Sequence, residues 1–439
     1  MLRTSVMARR PWLLALVVPV VFVLLQLLTG SSQWTLFPDS VRYARMAEQT
    51  LGVPRVQAEH KAVAAFCASR ADAAAHQAGL APFATVGGDP GTARKASDAA
   101  CLARYARAGD VTTTAPRYQA IFSSRPGYPV LAAPFIRAFG ILHGMRLLGL
   151  LTAAACSLLL YRLLRSNRFP PLAAVAGQAA LLASPLGWWS IQPLGEGLVL
   201  AGVLGALWGA TVLLRRTGGR LPGALLLLAS LAALTYTRYS IVLVFVPVVA
   251  VVTLAAALFH RSLRHSGTAL FLGLSAAGTA AVAVGVQLLG LASAKVTLQD
   301  TFTDHFALPD VPDPWHRLVE LNLHYWRDWI AVQASEPFFL LATGVALWAL
   351  FRRTPALGWL ALGTAVSGAA QVAAHPLAAE AERLGVLMRI PVVLGVPVIV
   401  EALLVRSGLR PGRGVQPTPD PGTADPGTGA DQLATRASA

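Results

Sequence analysis

The sequence predicts an all-α polytopic membrane protein, and three observations carry that expectation. The 439 residues are 55% hydrophobic and only 13% charged, a composition suited to a core that faces lipid. Uncharged or nearly uncharged stretches, each long enough to cross about 30 Å of hydrocarbon, fall near 11–31, 145–161, 170–188, 196–214, 221–236, 240–259, 267–292, 337–351, 355–374 and 390–405. Arginine sorts the connections between those ten stretches into two classes. Because backbone in lipid must satisfy its own hydrogen bonds, helices packed on helices are the expected architecture.

The charge sorting gives the orientation. With the N-terminus inside, the inner connections carry Arg3, Arg9 and Arg10, then Arg162, Arg165 and Arg168, then Arg215, Arg216 and Arg220. They continue with Arg261 and Arg264, Arg352 and Arg353, and Arg406, Arg410 and Arg413. Apart from Glu401 and the tail aspartates Asp420, Asp425 and Asp431, every acidic residue falls on the other side. Arginine bias in short loops sets topology, so both ends are expected in the cytoplasm of a cell with a plasma (inner) membrane. The first apolar stretch is longer than a signal-peptide core and lacks a convincing small-x-small cleavage site, so it reads as a retained span.

The expected organisation follows in order. Residues 1–31 form a cytoplasmic N-terminus and first span, and 32–144 a large extracytoplasmic loop. Residues 145–292 hold spans two to seven, 293–336 a second outer loop, 337–406 spans eight to ten, and 407–439 a Pro/Gly/Thr/Asp-rich tail too polar to bury a core. The net charge of +15 resides in the short inner connections, which argues against nucleic acid as partner. Three lysines stand against 33 arginines, a bias expected of a GC-rich, actinobacterial genome. The large first loop has no counterpart in the second half, which argues against an inverted-repeat transporter.

Phe37-Pro38-Asp39-Ser40-Val41-Arg42-Tyr43 follows the first span directly. The apolar spacing of Val41, Ala44, Ala47 and Leu51 predicts an interfacial helix from Ser40 to Leu51, with Arg42, Arg45 and Glu48 on other faces. Asp39 is then either the N-cap of that helix or a carboxylate held at the membrane surface for chemistry. Arg42 stands where a capping box would place Glu or Gln. Cys67 and Cys101 lie on the oxidising side; a bridge closing their loop would stabilise it by roughly 3–4 kcal/mol, and two separate thiols are the alternative. Cys156, inside a span, reads as a small core residue. The loop returns to the membrane through an aromatic, Pro-rich stretch containing Arg125-Pro126-Gly127-Tyr128-Pro129. That stretch is an interfacial turn or, with Arg125 and Tyr128, a wall around a sugar or lipid headgroup.

Further outer-side charges adjoin apolar runs. Arg238 interrupts two runs within Thr235-Tyr236-Thr237-Arg238; a charge at that depth marks a functional site unless it snorkels to water. Glu196 opens the fourth span, where the helix dipole favours a carboxylate; it could also orient Arg238. His375, Glu380, Glu382, Arg383 and Arg389 crowd one short loop, as part of a site or as solvated surface. Residues 300–328 offer Asp304, His305, Asp310, Asp313, His316 and Asp328, but no spacing that matches a metal helix. That stretch reads instead as a cap, with Trp315, Tyr325, Trp326 and Trp329 at the interface.

In this layout the chain resembles the GT-C superfamily of integral-membrane glycosyltransferases, which includes protein O-mannosyltransferases, aminoarabinose transferases of lipid A and mycobacterial cell-envelope mannosyl- and arabinosyltransferases. The resemblance covers most of residues 10–405. It rests on the Asp39…Tyr43 segment, the Arg125–Pro129 return, the Thr235–Arg238 break and the Arg383…Arg389-Ile390-Pro391 entry to the last span. It implies inverting transfer of a hexosyl or pentosyl group from a polyprenyl-phosphate donor to a hydroxyl on a glycan, lipid or protein at the extracytoplasmic face. Asp39 matches the family's general base, and Arg238 the cation beside the leaving lipid phosphate. Arginine suits that role as an always-charged fork, and a carboxylate suits proton removal from the attacking hydroxyl. Tyr43, Arg125, Tyr128, Glu196, His375, Glu382, Arg383 and Arg389 are the expected substrate-binding residues. No cofactor is indicated, and a divalent cation is left open. Family members often carry paired acids at the first site, where this chain has Asp39-Ser40. Two other classes therefore stay open: a catalytically silent relative acting as an assembly partner, and a transporter or flippase of lipid-linked sugars.

Overall fold

The computed structural model describes residues 11–29, 34–80, 88–108, 115–216 and 219–407. The arginines expected at 3, 9 and 10, and the tail from 408 on, lie outside them. Among the described residues the chain is helical, with no strand. Among the described residues, six helices are long and apolar enough to cross a bilayer, or up to eight if each of two bent pairs is counted as one span. The chain is a membrane protein. The described residues up to Glu401 pack as one unit.

Helix α1 (Pro11–Leu28) precedes a group of four helices, α2 (Pro38–Thr50), α3 (Arg55–Leu80), α4 (Pro90–Ala108) and α5 (Pro116–Ser123). The expected loop with one interfacial helix is thus a small helical layer. Its core joins Leu36, Val41, Ala44, Ala47, Phe66, Tyr118 and Phe122. A disulfide between Cys67 and Cys101 ties α3 to α4. The α3 and α4 sequences are rich in alanine, the strongest helix former. They lack a sharp apolar stripe, which is why periodicity did not reveal them.

Helix α6 (Gly127–Ser166) has two limbs joined at Gly140, whose φ of 74° lies where glycine alone is unstrained. The second limb begins at Ile141, four residues before the expected span. Next come α7 (Pro171–Leu182) and α8 (Pro185–Ile191), bent by 64°. One span was expected over 170–188. Ser184 accepts from the Leu186 N–H, and Pro185 starts a new helix, so helix α7 stops before it.

Helix α9 (Glu196–Leu213) is followed by α10 (Arg220–Phe259), 40 residues broken at Arg238, where φ and ψ are −162° and 83°. A continuous helix of that length would part its ends by about 60 Å. Instead Arg216, just before α10, donates to the carbonyls of Arg261 and Ser262, just after it, at 3.1 and 3.2 Å. The two limbs therefore run antiparallel, with the reversal at Thr237–Arg238. This reversal matches the separation between the expected runs 221–236 and 240–259.

The chain continues with α11 (Ser266–Leu288), α12 (Ala294–Phe302), α13 (Pro314–Ser335) and α14 (Phe338–Arg353), the last two at 84°. Helices α15 (Pro355–Ala374), α16 (Ala378–Leu384), a 3-10 turn (Gly385–Arg389) and α17 (Ile390–Arg406) complete it. Leu163, Leu164, Val203, Leu204, Val242, Leu360 and Leu394 are fully buried where α6, α7, α9, α10, α15 and α17 meet. Glu401, buried within α17, receives Arg353 Nε at 2.8 Å, as a buried charge requires.

Candidate functional site

The site grows from the start of α2. Ser40 Oγ accepts the Phe37 N–H at 3.0 Å, so the cap falls at Phe37, two residues before the expected cap, and Asp39 sits inside the first turn. Its carboxylate is therefore free for other partners. Arg42, one turn on, reaches Asp39 Oδ1 at 3.5 Å, and Arg383 from α16 donates to Oδ2 at 3.0 Å. Helix spacing of three residues makes the first contact local; the second closes the fold across 344 positions.

Arg383 is the hub. It also approaches Glu196 Oε1 at 3.4 Å and pairs with Glu380 one turn earlier on α16. Glu196, the first residue of α9, lies 3.2 Å from Arg238 Nη1 at the α10 reversal. Asp39, Arg383, Glu196 and Arg238 thus form one chain of ion pairs drawn from four segments. Helix α6 begins against the same reversal: a Cβ on Gly127 would lie 2.8 Å from Thr237 Cα, so glycine is required there. That contact brings Arg125 beside the network, where its charge acts on Asp39. Arg125 has no carboxylate within 4.0 Å among the described residues, and its buried Nε lacks a hydrogen-bond partner. Arg238 Nε and the Tyr128 hydroxyl are similarly unpaired. Tyr43 packs against Tyr128 with ring centroids 5.3 Å apart.

Four guanidiniums (Arg42, Arg125, Arg238, Arg383) face three carboxylates (Asp39, Glu196, Glu380), which leaves one positive charge in excess. Burial alone would raise the Asp39 carboxyl, but the adjacent Arg383 and Arg42 charges outweigh it and hold the group below its ordinary value. Asp39 is therefore ionised, and its side chain is 23% exposed. A cavity of about 20 Å³ lies between Glu196, Arg238, Gln371 and Arg383, room for roughly one water. Asp39 is not part of its lining. The space between Asp39 and Arg238 is bridged by Arg383 and Glu196.

A second wing comes from α12 and the turn after it. Thr301 Oγ1 lies 2.8 Å from His375 Nδ1, and burial pushes His375 down to about 4, so that ring is neutral. His305 Nδ1 meets Asp300 Oδ1 at 3.1 Å. The Asp300 hydrogen bond raises His305 above its ordinary value, against partial burial. Asp304, His305 and Phe306 have φ of 46°, 59° and 64°, three successive non-glycine residues in a left-handed conformation that costs about 1–2 kcal/mol each. The turn is clasped to α5: Arg117 bonds Asp310 at 2.7 Å and lies 4.4 Å over the Phe306 ring.

Among the expected residues, the structure gathers Asp39, Glu196, Arg238 and Arg383, with Arg125, Tyr43 and Tyr128 beside them and His375 on the second wing. It does not gather Glu382 or Arg389. Glu382 is exposed and sits about 100° around α16 from Arg383, and Arg389 ends the 3-10 turn with its guanidinium 5.5 Å over the Phe339 ring. Sequence reading passed over Arg42, which was assigned to another face, although its spacing from Asp39 gave a signal; the Glu380–Arg383 spacing gave the same one. His305 was read only as part of a capping stretch, and Asp300, Thr301 and Tyr118 had no local signal. Among the described residues no group of three His, Cys, Asp or Glu side chains could hold a metal ion. The comparisons with protein families, curated proteins and solved structures return no match for this chain.

Proposed function

We propose that this protein is a membrane glycosyltransferase of GT-C type, moving a sugar from a polyprenyl-phosphate donor to an acceptor hydroxyl at the extracytoplasmic face. The observation that carries the reading is the ion-pair chain from Asp39 through Arg383 and Glu196 to Arg238. It sets a proton acceptor and a surplus of guanidiniums side by side at helix ends. On this reading both arms of α10 cross the bilayer, the bent α7–α8 pair crosses once, α13 stays outside, and ten crossings leave both termini in the cytoplasm.

The chemistry assigns one step to each group. The acceptor hydroxyl displaces Arg383 from one Asp39 oxygen and gives that carboxylate its proton as its own oxygen bonds the anomeric carbon. The bond from that carbon to the phosphate oxygen breaks, and its electron pair leaves with the lipid phosphate. Arg238 and Arg125, with their unpaired Nε donors, and Arg383 neutralise the departing charge. Glu196 holds Arg238 and Arg383 in register before the phosphate arrives. No nucleotide-binding loop is needed, since a lipid donor reaches the site from within the bilayer.

One observation favours a second reading. Each carboxylate of the network is already paired, and the adjoining cavity holds about one water, as in a silent relative acting as an assembly partner. Membranes containing the chain, supplied with polyprenyl-phosphate sugars and an extracted envelope acceptor, distinguish the two. The transferase reading expects product, and a fall of about 10²–10⁴-fold for Asp39→Asn. Full transfer by that variant removes Asp39 as base, and no transfer by the parent chain with any donor supports the silent partner.

A further inference from the structure

The run Asp304–Phe306 is the one stretch of consecutive non-glycine residues with positive φ among the described residues. Strain of this kind persists where surrounding contacts over-determine it, and it concentrates at ligand clamps and switches. Here its effect is specific. It lays the His305 imidazole flat on the Tyr118 ring, with centroids 4.3 Å apart and planes 26° from parallel.

What lies under and around that imidazole resembles a ligand's surroundings more than a core. Tyr118 is only 5% exposed beneath it, whereas the His305 side chain is 54% exposed. The histidine is thus a surface group reaching inward, held there by Asp300 and by the ring beneath it. Asp300, 12% exposed, holds the Nδ1 edge of the ring. The Arg42 guanidinium lies over the Tyr118 ring, 4.7 Å from its centroid, and also reaches Asp39. A flat ring on an aromatic face, with a carboxylate at its rim and a guanidinium close by, is a recognition chemistry for a sugar. The C–H face of a pyranose or furanose packs on the aromatic plane, and its hydroxyls donate to carboxylate and accept from guanidinium.

We propose that the face of Tyr118, with Asp300 and Arg42, is a stacking subsite for one sugar ring of a glycan acceptor, and that His305 is a built-in plug occupying it. Calling that sugar an acceptor rests on the transferase reading; the subsite itself does not. Three features agree with a plug. The strained turn stores the tendency to withdraw, the ring it presents has the shape of the ligand it displaces, and Arg117 clasps the same turn through Asp310 and Phe306. A seated sugar would share the Tyr118 ring with Arg42, which itself reaches Asp39. A peptide or lipid hydroxyl would need no such platform.

The test is equilibrium binding without donor. The full chain in lipid nanodiscs is titrated with methyl α-mannopyranoside and methyl α-arabinofuranoside, and saturation transfer from protein to sugar C–H protons is recorded. His305→Gly tolerates positive φ and removes the plug, so affinity should rise about tenfold, because apparent affinity scales with the open fraction. Tyr118→Phe should keep the signal and Tyr118→Leu should lose it, with the intact Cys67–Cys101 bridge reporting that the outer layer is folded. Binding by neither protein, a change under twofold in His305→Gly, or undiminished binding by Tyr118→Leu overturns the subsite. Since no donor is present, a chain that binds glycosides yet transfers nothing keeps the subsite and loses only the transferase reading.

Discussion

Replacing Arg383 by Gln removes the group that joins both ends of the candidate site. Its guanidinium meets Asp39 at 3.0 Å and Glu196 at 3.4 Å, with exposures of 16%, 23% and 10% for the three side chains; it also pairs with Glu380. Breaking a buried pair by deleting one partner costs about 3–5 kcal/mol, because the other charge is left uncompensated. Asp39 is almost a quarter open to solvent, so the lower end applies, about 3 kcal/mol. The cost should be partly cancelled in the double variant Arg383→Gln/Asp39→Asn, where one cation and one anion leave together. Asp39 also supplies a pH signature. Its carboxyl is held below the ordinary value of 3.8 by Arg383 and Arg42 against the effect of burial. That contribution is therefore present above about pH 4 and is lost as pH falls through the lower folded value. Arg383→Gln should flatten this acid limb. The assay is reversible unfolding in mixed micelles, followed by helicity, for both single variants and the double. A cost under 1 kcal/mol, or a coupling between positions 39 and 383 under about 0.5 kcal/mol, would refute the network as an energetic unit.

Other outcomes follow from single contacts. Cys67→Ser opens a 34-residue loop and should lower stability by about 3–4 kcal/mol, with reductant giving the same loss in the parent chain and none in the variant. Gly127→Ala sets a Cβ 2.8 Å from Thr237 Cα; the resulting backbone shift should cost about 1–3 kcal/mol and, in membranes, reduce transfer more than Gly140→Ala does. His305 faces Asp300 on α12, Asp304 on its own turn, Arg42 on α2 and Tyr118 on α5. Because Asp300 raises it above 6.5, its pairing is complete below about pH 6.5 and is lost as pH rises through the raised value. Glycoside binding by the parent chain should therefore tighten from pH 6 to pH 9, while His305→Gly stays flat in the same titration.

Much of the scaffold is legible because lipid imposes a simple rule on it. Apolar runs bounded by arginine read directly as helices, and Glu401 stands out in the last span because a carboxylate there needs a partner, which Arg353 supplies. The α10 reversal was visible as a polar tetrapeptide between two runs. The α7–α8 bend was not taken up, although Ser184-Pro185 is a start signal inside the expected span. The Ala-rich α3 and α4 were missed for a different reason: helix propensity alone, without apolar contrast, leaves no period to read. In the site, Asp39, Glu196, Arg238 and Arg383 are charges set against apolar sequence, and that costly placement made them conspicuous. Glu382 and Arg389 looked equivalent in sequence, but one short helix and one 3-10 turn aim them elsewhere. The His305–Tyr118 stack is a purely tertiary contact, created by a backbone conformation that these residue types do not advertise.

On the transferase reading, one cluster holds a phosphate cradle and a separate proton acceptor. This pairing is tested most directly by measuring, in the same nanodisc preparations, the binding of a radiolabelled polyprenyl-phosphate sugar and its turnover by Arg238→Gln and Asp39→Asn. Arg238→Gln should lose donor binding and turnover together, while Asp39→Asn should bind donor within about twofold of the parent chain and fail only in turnover. Equal donor binding by both variants, or turnover that survives Asp39→Asn, would contradict it.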